Sequence, residues 1–285
     1  STYDYIILDL PPVGEVSDAL AIAKNTDGID VIVSGHTHTT LTEAITVDGT
    51  YIVSASEYGK NLGVLELGFT SDGACTLNDY RLVPIDENMP EDETIAALVE
   101  EFKANVEKDY LSSYGVSFDE LLVDNDIKFE TVKEIKSTQH ESAVCNLYAD
   151  AYKWAIEEAT GEVVDVALTA AGVVRESLPL GNITTSDVFN AASLGVGTEG
   201  ELIAVYVTGA DLKTALEVDA SVQPLMNAAQ LYLSGIEYSY NKYRMIFNKV
   251  DYAMLRRNDG TLEKIDDKKL YLIVTGMYAG QMLGS

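Results

Sequence analysis

Short apolar runs broken by Pro, Gly, Asn and Asp alternate along this chain with stretches of helical spacing. Tyr5-Ile6-Ile7-Leu8 is halted by Pro11 and Pro12, and residues 17–24 then place their apolar side chains at helical intervals, so strand, loop and helix are predicted. Ile29-Asp30-Val31-Ile32-Val33 is a β-branched run ending at Ser34-Gly35, the pattern of a buried strand with a loop at its carboxyl end. Open α/β sheets place ligands at such ends. Residues 51–53, 63–69 and 80–83, separated by Gly, Asn and Asp, read as strands of a meander. Ile95, Leu98, Val99, Phe102 and Val106 then recur three or four apart among acids and lysines, an amphipathic helix that starts after Pro90 and separates two differently patterned regions.

Beyond it, residues 142–159 predict a second helix with Val144, Leu147, Ala151, Trp154 and Ala155 on one face, and Trp154 reads as core rather than ligand. Strands are expected at 164–169, 201–208, 235–240 and 270–275, and a helix at 209–218. There is no internal repeat or low-complexity tract.

Composition narrows the partners. The 285 residues, 47% hydrophobic and 23% charged, suit two ordinary globular domains. A net charge of -27, from 46 acidic and 19 basic side chains, disfavours nucleic acid and anionic membrane surfaces. A small phosphorylated ligand remains compatible if a metal or arginine holds it. No apolar run approaches the length of a membrane span. Cys75 and Cys145 are too few for a disulfide framework, and whether they pair stays open. Ser1 is no initiator and Tyr5 already opens a strand, so the sequence reads as a trimmed piece whose leader, if any, preceded it.

Gly35-His36-Thr37-His38 is the most informative segment, because a glycine turn after a buried strand presents two imidazoles at neighbouring positions. Taken alone, such a pair ligates a metal or simply packs or caps a turn. The segment resembles the closing Gly-His-Ser/Thr-His motif of the calcineurin-like metallophosphoesterases. Their Ala-Gly-x-x-Gly-x-x-Leu-Gly continuation is similar to Ala55-Ser56-Glu57-Tyr58-Gly59-Lys60-Asn61-Leu62-Gly63. Three further blocks resemble the 5'-nucleotidase branch. The residues from Glu141 through Asn146-Leu147 to Asp150-Ala151 look like its Glu-x-x-x-x-Asn-Leu-x-x-Asp-Ala helix. Ala170-Ala171-Gly172-Val173-Val174-Arg175, followed by Gly181-Asn182-Ile183-Thr184, is similar to its Asn-Gly-Gly-Gly-Ile-Arg turn and Gly-x-Ile-Thr continuation. Thr208-Gly209-Ala210-Asp211-Leu212 matches its Thr-Gly-x-x-Leu helix start.

The resemblance implies phosphoester hydrolysis by two divalent ions, zinc, manganese or calcium, with His36 and His38 each serving one metal. It implies a nucleotide or small phosphoester held by the second domain through Gly172, Arg175, Leu194 and an aromatic stack on Tyr278. The chain departs from the family pattern at Ala170-Ala171, at Leu194-Gly195-Val196 in place of Phe-Gly-Asn, and at Gly280-Gln281-Met282 in place of the final Gly-Gly-Asp-Gly-Tyr. Arg175 therefore has an alternative role as a structural ion pair. A binuclear site takes about six or seven protein donors, whereas the chain holds three histidines, of which His140 reads as a cap or surface residue. The opening residues 3–14 resemble instead the Walker-B strand and Pro-Pro loop of bacterial tyrosine kinases, where Asp9 would help place magnesium. No phosphate-binding glycine loop accompanies it, so this stretch reads as a structural strand and helix.

The expected fold is α/β (α+β): a partial calcineurin-like metallophosphoesterase sheet over 1–88, a linking helix over 89–112 and a 5'-nucleotidase C-terminal domain over 113–285. The expected function is that of a fragment or rearranged member of the 5'-nucleotidase family with an incomplete metal site and little hydrolysis of its own. The alternative is a non-catalytic nucleotide or nucleoside-binding surface module. The resemblance places the protein outside the cell, at its surface or in the periplasm.

Overall fold

The structure, a computed structural model, describes residues 7–9, 16–71, 73–137, 141–194, 202–277 and 279–280. Two compact units emerge, residues 1–98 and 99–285.

In the first unit, β1 (Ile7–Asp9), α1 (Val16–Asn25), β2 (Val31–Val33), β3 (Ile45–Val47) and β4 (Thr50–Val53) form a four-stranded sheet with its helix. Sheet order is β1-β2-β4-β3, with β1, β2 and β4 mutually parallel and β3 antiparallel to β4. Ala19 and Ala23 of α1 pack on Ile32 and Ile52, four fully or nearly fully buried residues; the small alanines let the helix sit close to the sheet. Thr50 Oγ1 donates to the Ile29 carbonyl at 2.7 Å and Tyr51 N to Asp30 O at 2.9 Å, which locks β4 alongside β2.

The predicted meander is corrected here. β4 lies in the sheet with β1, β2 and β3, while β5 (Asn61–Phe69) and β6 (Cys75–Pro84), among the described residues, pair only with each other as an antiparallel ribbon. The reason lies in residues 54–60, where Ser56, Tyr58 and Gly59 all take left-handed backbone and turn the chain out of the sheet. α2 (Glu93–Asp109) follows, with no residue buried along its length.

The second unit, which takes in α2 from Val99 onward, continues with a short 3-10 turn and β7 (Leu121–Asn125), α3 (Val132–Ser137), α4 (Ala143–Thr160), β8 (Val166–Ala170), β9 (Gly181–Thr184) and α5 (Thr185–Ala191). It continues through β10 (Leu202–Thr208), α6 (Gly209–Val222), β11 (Leu231–Ser234), β12 (Ile236–Tyr240), β13 (Val250–Arg256), β14 (Leu262–Lys264) and β15 (Leu270–Gly276). The central sheet has order β10-β15-β8-β11, in which β15 and β8 are parallel and the outer pairs antiparallel.

Strand alternation sorts its side chains. Val166, Leu168, Tyr271 and Ile273 meet Leu212 and Leu216 of α6, whereas Ala167, Leu272 and Val274 meet Tyr152 of α4 on the opposite face. Burying a Leu or Val completely contributes about 1.5–3 kcal/mol each, so these two clusters hold the unit together. Thr208 and Asp211 close a capping box at the start of α6, Thr184 and Asp187 do so for α5, and Ser142 caps α4. β12, β13 and β14 form a separate antiparallel sheet, and β7 pairs with β9.

The expected core face of α4 is also corrected. Val144, Cys145, Tyr148, Ala149 and Tyr152 are buried, and Trp154 stands 65% exposed with Leu147. Tyr148 and Tyr152 carry large apolar rings on a stripe offset from that of Trp154, and it is this stripe that faces β8, β11 and β15.

Candidate functional site

β2 and β4 are parallel neighbours, so the loops that follow them leave the same end of the sheet. Both loops are strained in the same way. His36 (φ 64°) and His38 (φ 58°) in the first, and Ser56 (φ 77°) and Tyr58 (φ 51°) in the second, are left-handed although none is glycine. That conformation costs roughly 1–2 kcal/mol per residue, so the surroundings must impose it. They do so through Ser34 N to Val53 O (2.8 Å), Leu41 N to Ser54 O (3.1 Å) and Ser56 N to Thr39 O (3.2 Å). The Ser54 hydroxyl adds a bond to Thr39 O at 2.6 Å.

With the backbone so tied, both imidazoles are exposed rather than packed beneath the loop. The His38 ring meets Tyr58 edge to face at a centroid distance of 5.3 Å. Glu57 sits beside them, its carboxylate accepting from Lys60 at 2.7 Å and Ser56 at 2.6 Å. Those bonds, the Lys60 one first, hold its pKa below the usual carboxylate value, with the His38 charge a minor contributor. Glu57 and Tyr58 were not singled out from the sequence; their left-handed loop is a tertiary property. Among the described residues no three His, Cys, Asp or Glu side chains gather closely enough to hold a metal ion. The described residues do not by themselves supply the donor set of a two-metal site.

In the second unit, β8 ends in the turn that carries Gly172 and Arg175. A Cβ on Gly172 would lie 2.9 Å from the Ala228 carbonyl oxygen, so this position needs glycine for close backbone approach. Arg175 N donates to Ala191 O at 2.8 Å, tying the turn to the end of α5, three residues before the exposed Leu194. Gly172, Arg175 and the α5 terminus are thus brought together. Lys136 of α3 belongs with them: burial, and then the Arg175 charge, lowers its pKa below the usual lysine value. Sequence reading passed Lys136 over, since one lysine in a short polar helix carries no signal. Tyr278, His140 and most of residues 3–14 lie outside the described residues, and of Asp9 only its place at the end of β1 is described. Both cysteines are free thiols, Cys145 buried and Cys75 partly so.

Comparison with known proteins agrees with this architecture. Residues 124–283 match the family model "5'-nucleotidase, C-terminal domain", more than half of the chain, and the chain belongs to the 5'-nucleotidase family. It is 26% identical over 279 residues to the trifunctional nucleotide phosphoesterase protein YfkN of Bacillus subtilis, covering 96% of this chain and 18% of that one. It is 27% identical over 234 residues to the endonuclease YhcR of the same organism, covering 80% of this chain and 17% of that one. The crystal structure of a 5'-nucleotidase precursor from Thermus thermophilus shares its mixed α/β fold, with a TM-score of 0.68 at 21% identity over 99% of this chain and 57% of that chain. The chain thus spans well under two thirds of each of these proteins. Among the described residues no helix is long and apolar enough to cross a membrane.

Proposed function

We propose that this chain serves phosphoester chemistry of the 5'-nucleotidase kind in two parts. Residues 1–88 carry one edge of a divalent-metal site, residues 89–112 link, and residues 113–285 recognise a nucleotide or related phosphoester. The observation that supports the metal edge is the convergence of two left-handed, non-glycine loops at the carboxyl ends of adjacent parallel strands, with His36 and His38 exposed on one of them. Strain of this kind is retained where a side chain must point somewhere in particular. His36 and His38 would each donate to one zinc, manganese or calcium ion. Two donors fall well short of the roughly six or seven of a binuclear centre, so no hydrolytic step is assigned to this chain and little turnover of its own is expected.

The assay is cleavage of AMP, a cyclic nucleotide and an aryl phosphate with manganese, zinc or calcium added. Rates no higher than those of a His36→Ala, His38→Ala double variant are expected. Robust turnover that the double variant abolishes would overturn the proposal of inactivity.

Recognition without chemistry is the second reading, and it is favoured by the proximity of Lys136 and Arg175 in a protein of net charge -27. Two neighbouring cations beside the Gly172 turn suit a phosphate. Calorimetric titration should show AMP bound more tightly than adenosine and Arg175→Ala weakening AMP about tenfold, the equivalent of roughly 1.4 kcal/mol. Equal or absent binding of the two ligands counts against it. Family resemblance supports an extracellular, cell-surface or periplasmic setting, testable by fractionating the source cells.

A further inference from the structure

A groove of about 660 Å³ in the second unit is lined by none of His36, His38, Gly172, Arg175 and Leu194, although Glu141, Asn146 and Asp150 of the family-like helix border it. Its floor is a continuous stretch of chain, Gln230 through Ile236, which contains β11. β11 is an edge strand of the central sheet, and among the described residues no strand pairs with its outer side. We propose that this groove accepts an extended basic peptide, which adds to β11 as a fifth strand.

Register decides which backbone groups face the groove. Ala171 N donates to Gln230 O at 2.8 Å, and β11 pairs with β8 antiparallel as Leu231 with Ala170 and Tyr232 with Thr169. Hydrogen-bonded and non-hydrogen-bonded pairs alternate in such a ladder, so Tyr232 and Ser234 direct their peptide groups at β8 while Leu231 and Leu233 direct theirs outward. Leu231 N confirms the sense, because it donates away from β8 to Asp219 Oδ1 at 2.8 Å. The Leu231 carbonyl and the N–H and carbonyl of Leu233 are therefore presented to an incoming strand. β11 also lacks the proline, bulge or lysine that ordinarily blunts an edge.

The walls argue for the occupant's charge. One wall is the outer side of α4 and its approach, with Glu141, Asn146 and Asp150. The other carries Tyr238 and Tyr240, stacked at 6.0 Å with an interplanar angle of 27°. Their hydroxyls are engaged beneath the groove, Tyr238 with Asp219 and Tyr240 with Gln223 Oε1 at 2.6 Å, so the aromatic wall is held in place before anything binds. The charged side chains lining the groove are Glu141, Asp150 and Glu237 with one cation, Arg256, which already bonds Glu237 at 2.8 Å. The lining is thus net acidic, and lysine or arginine on alternate positions of a docked strand would meet it. Main-chain bonds to the edge would supply affinity and the walls would select the side chains, the division of labour in strand addition.

The test is fluorescence anisotropy with a labelled alternating lysine–valine octapeptide at about 0.1 M salt, where long-range attraction to the acidic surface is largely screened. A glutamate–valine octapeptide should bind at least tenfold more weakly. Leu233→Pro removes an outward N–H at an edge position that tolerates proline, and should weaken the basic peptide by about tenfold, as should Asp150→Lys. In the unaltered protein, peptide binding should slow hydrogen exchange at the Leu233 amide, which keeps the proposal falsifiable even if Leu233→Pro fails to fold. Equal binding to a folded Leu233→Pro would mean general attraction to the acidic surface and would overturn the proposal. So would unchanged exchange at Leu233, or agmatine competing as tightly as the peptide, which would mark a site for small cations instead.

Discussion

The turn after β2 and the turn after β8 both follow strands with a parallel neighbour, yet they hold their functional residues by opposite means. In the first, His36 and His38 stand in water on left-handed backbone, kept there by hydrogen bonds to residues 53–56. In the second, Ala171, Val173 and Val174 are buried, Gly172 approaches the Ala228 backbone, and no residue from 170 to 175 has positive φ. One turn holds its side chains outward through strain that its neighbours impose; the other fixes Arg175 through packing that its own residues supply. A strained turn can shed an imidazole and relax, whereas a packed turn cannot lose a methyl without a void.

Substitutions test that contrast, and the largest effect should come from the packed side. Gly235 has φ 83°, and a Cβ there would lie 2.2 Å from the Asp165 carbonyl oxygen. Gly235→Ala, at the bend between β11 and β12 and outside both turns, should therefore cost about 3 kcal/mol or more in chemical denaturation of the second unit; an unchanged midpoint would mean that the packing of this unit yields freely. The two turns themselves should then respond with opposite signs. Ala171→Gly loses a fully buried methyl and gains chain entropy in the unfolded state, a combined loss of about 1.5 kcal/mol. His36→Gly relieves left-handed strain and, after the same entropic cost, should stabilise by roughly 0.5 kcal/mol. Thermal melts of the pair that move in the same direction would remove the basis of the comparison.

The smallest effect is a slope. Burial raises the pKa of Asp219 above its ordinary 3.8, against the opposing bonds from Tyr238, Leu231 and Gln223. A carboxyl group with a raised folded-state pKa contributes stability that is complete below the unfolded value and is lost as pH climbs through the folded one. Asp219→Asn cannot ionise, so its stability relative to the native protein should rise as pH is increased from below 3.8. A difference that stays flat with pH would show that the carboxylate is not penalised by its surroundings.

Much of this was legible in the residues. Gly35-His36-Thr37-His38 after a β-branched run and the helices α4 and α6 follow from local pattern, because glycine and periodicity act over a few positions, whereas the Gly172-to-Arg175 turn was visible through its resemblance to the family motif and α5 was not anticipated. The placement of β4 was not legible, since Tyr51-Ile52-Val53 fits a meander or a parallel sheet equally and only the left-handed backbone of Ser56 and Tyr58 decides between them. Nor was the exposure of Trp154, because two apolar stripes run along α4 and the sheet selects the one bearing Tyr148 and Tyr152. Lys136 and Asp219 are single polar residues whose surroundings are assembled from distant segments, which no local pattern reports.

The two sulfurs of this protein keep different company. Cys145 lies within the core of the second unit, where burial pushes its thiol up to about 12, so at neutral pH it is neither ionised nor reachable. Cys75 opens β6 with part of its surface in solvent. Nature has thereby fitted each unit with its own chemical reporter, one answering to the outside of the molecule and the other silent until the interior comes apart.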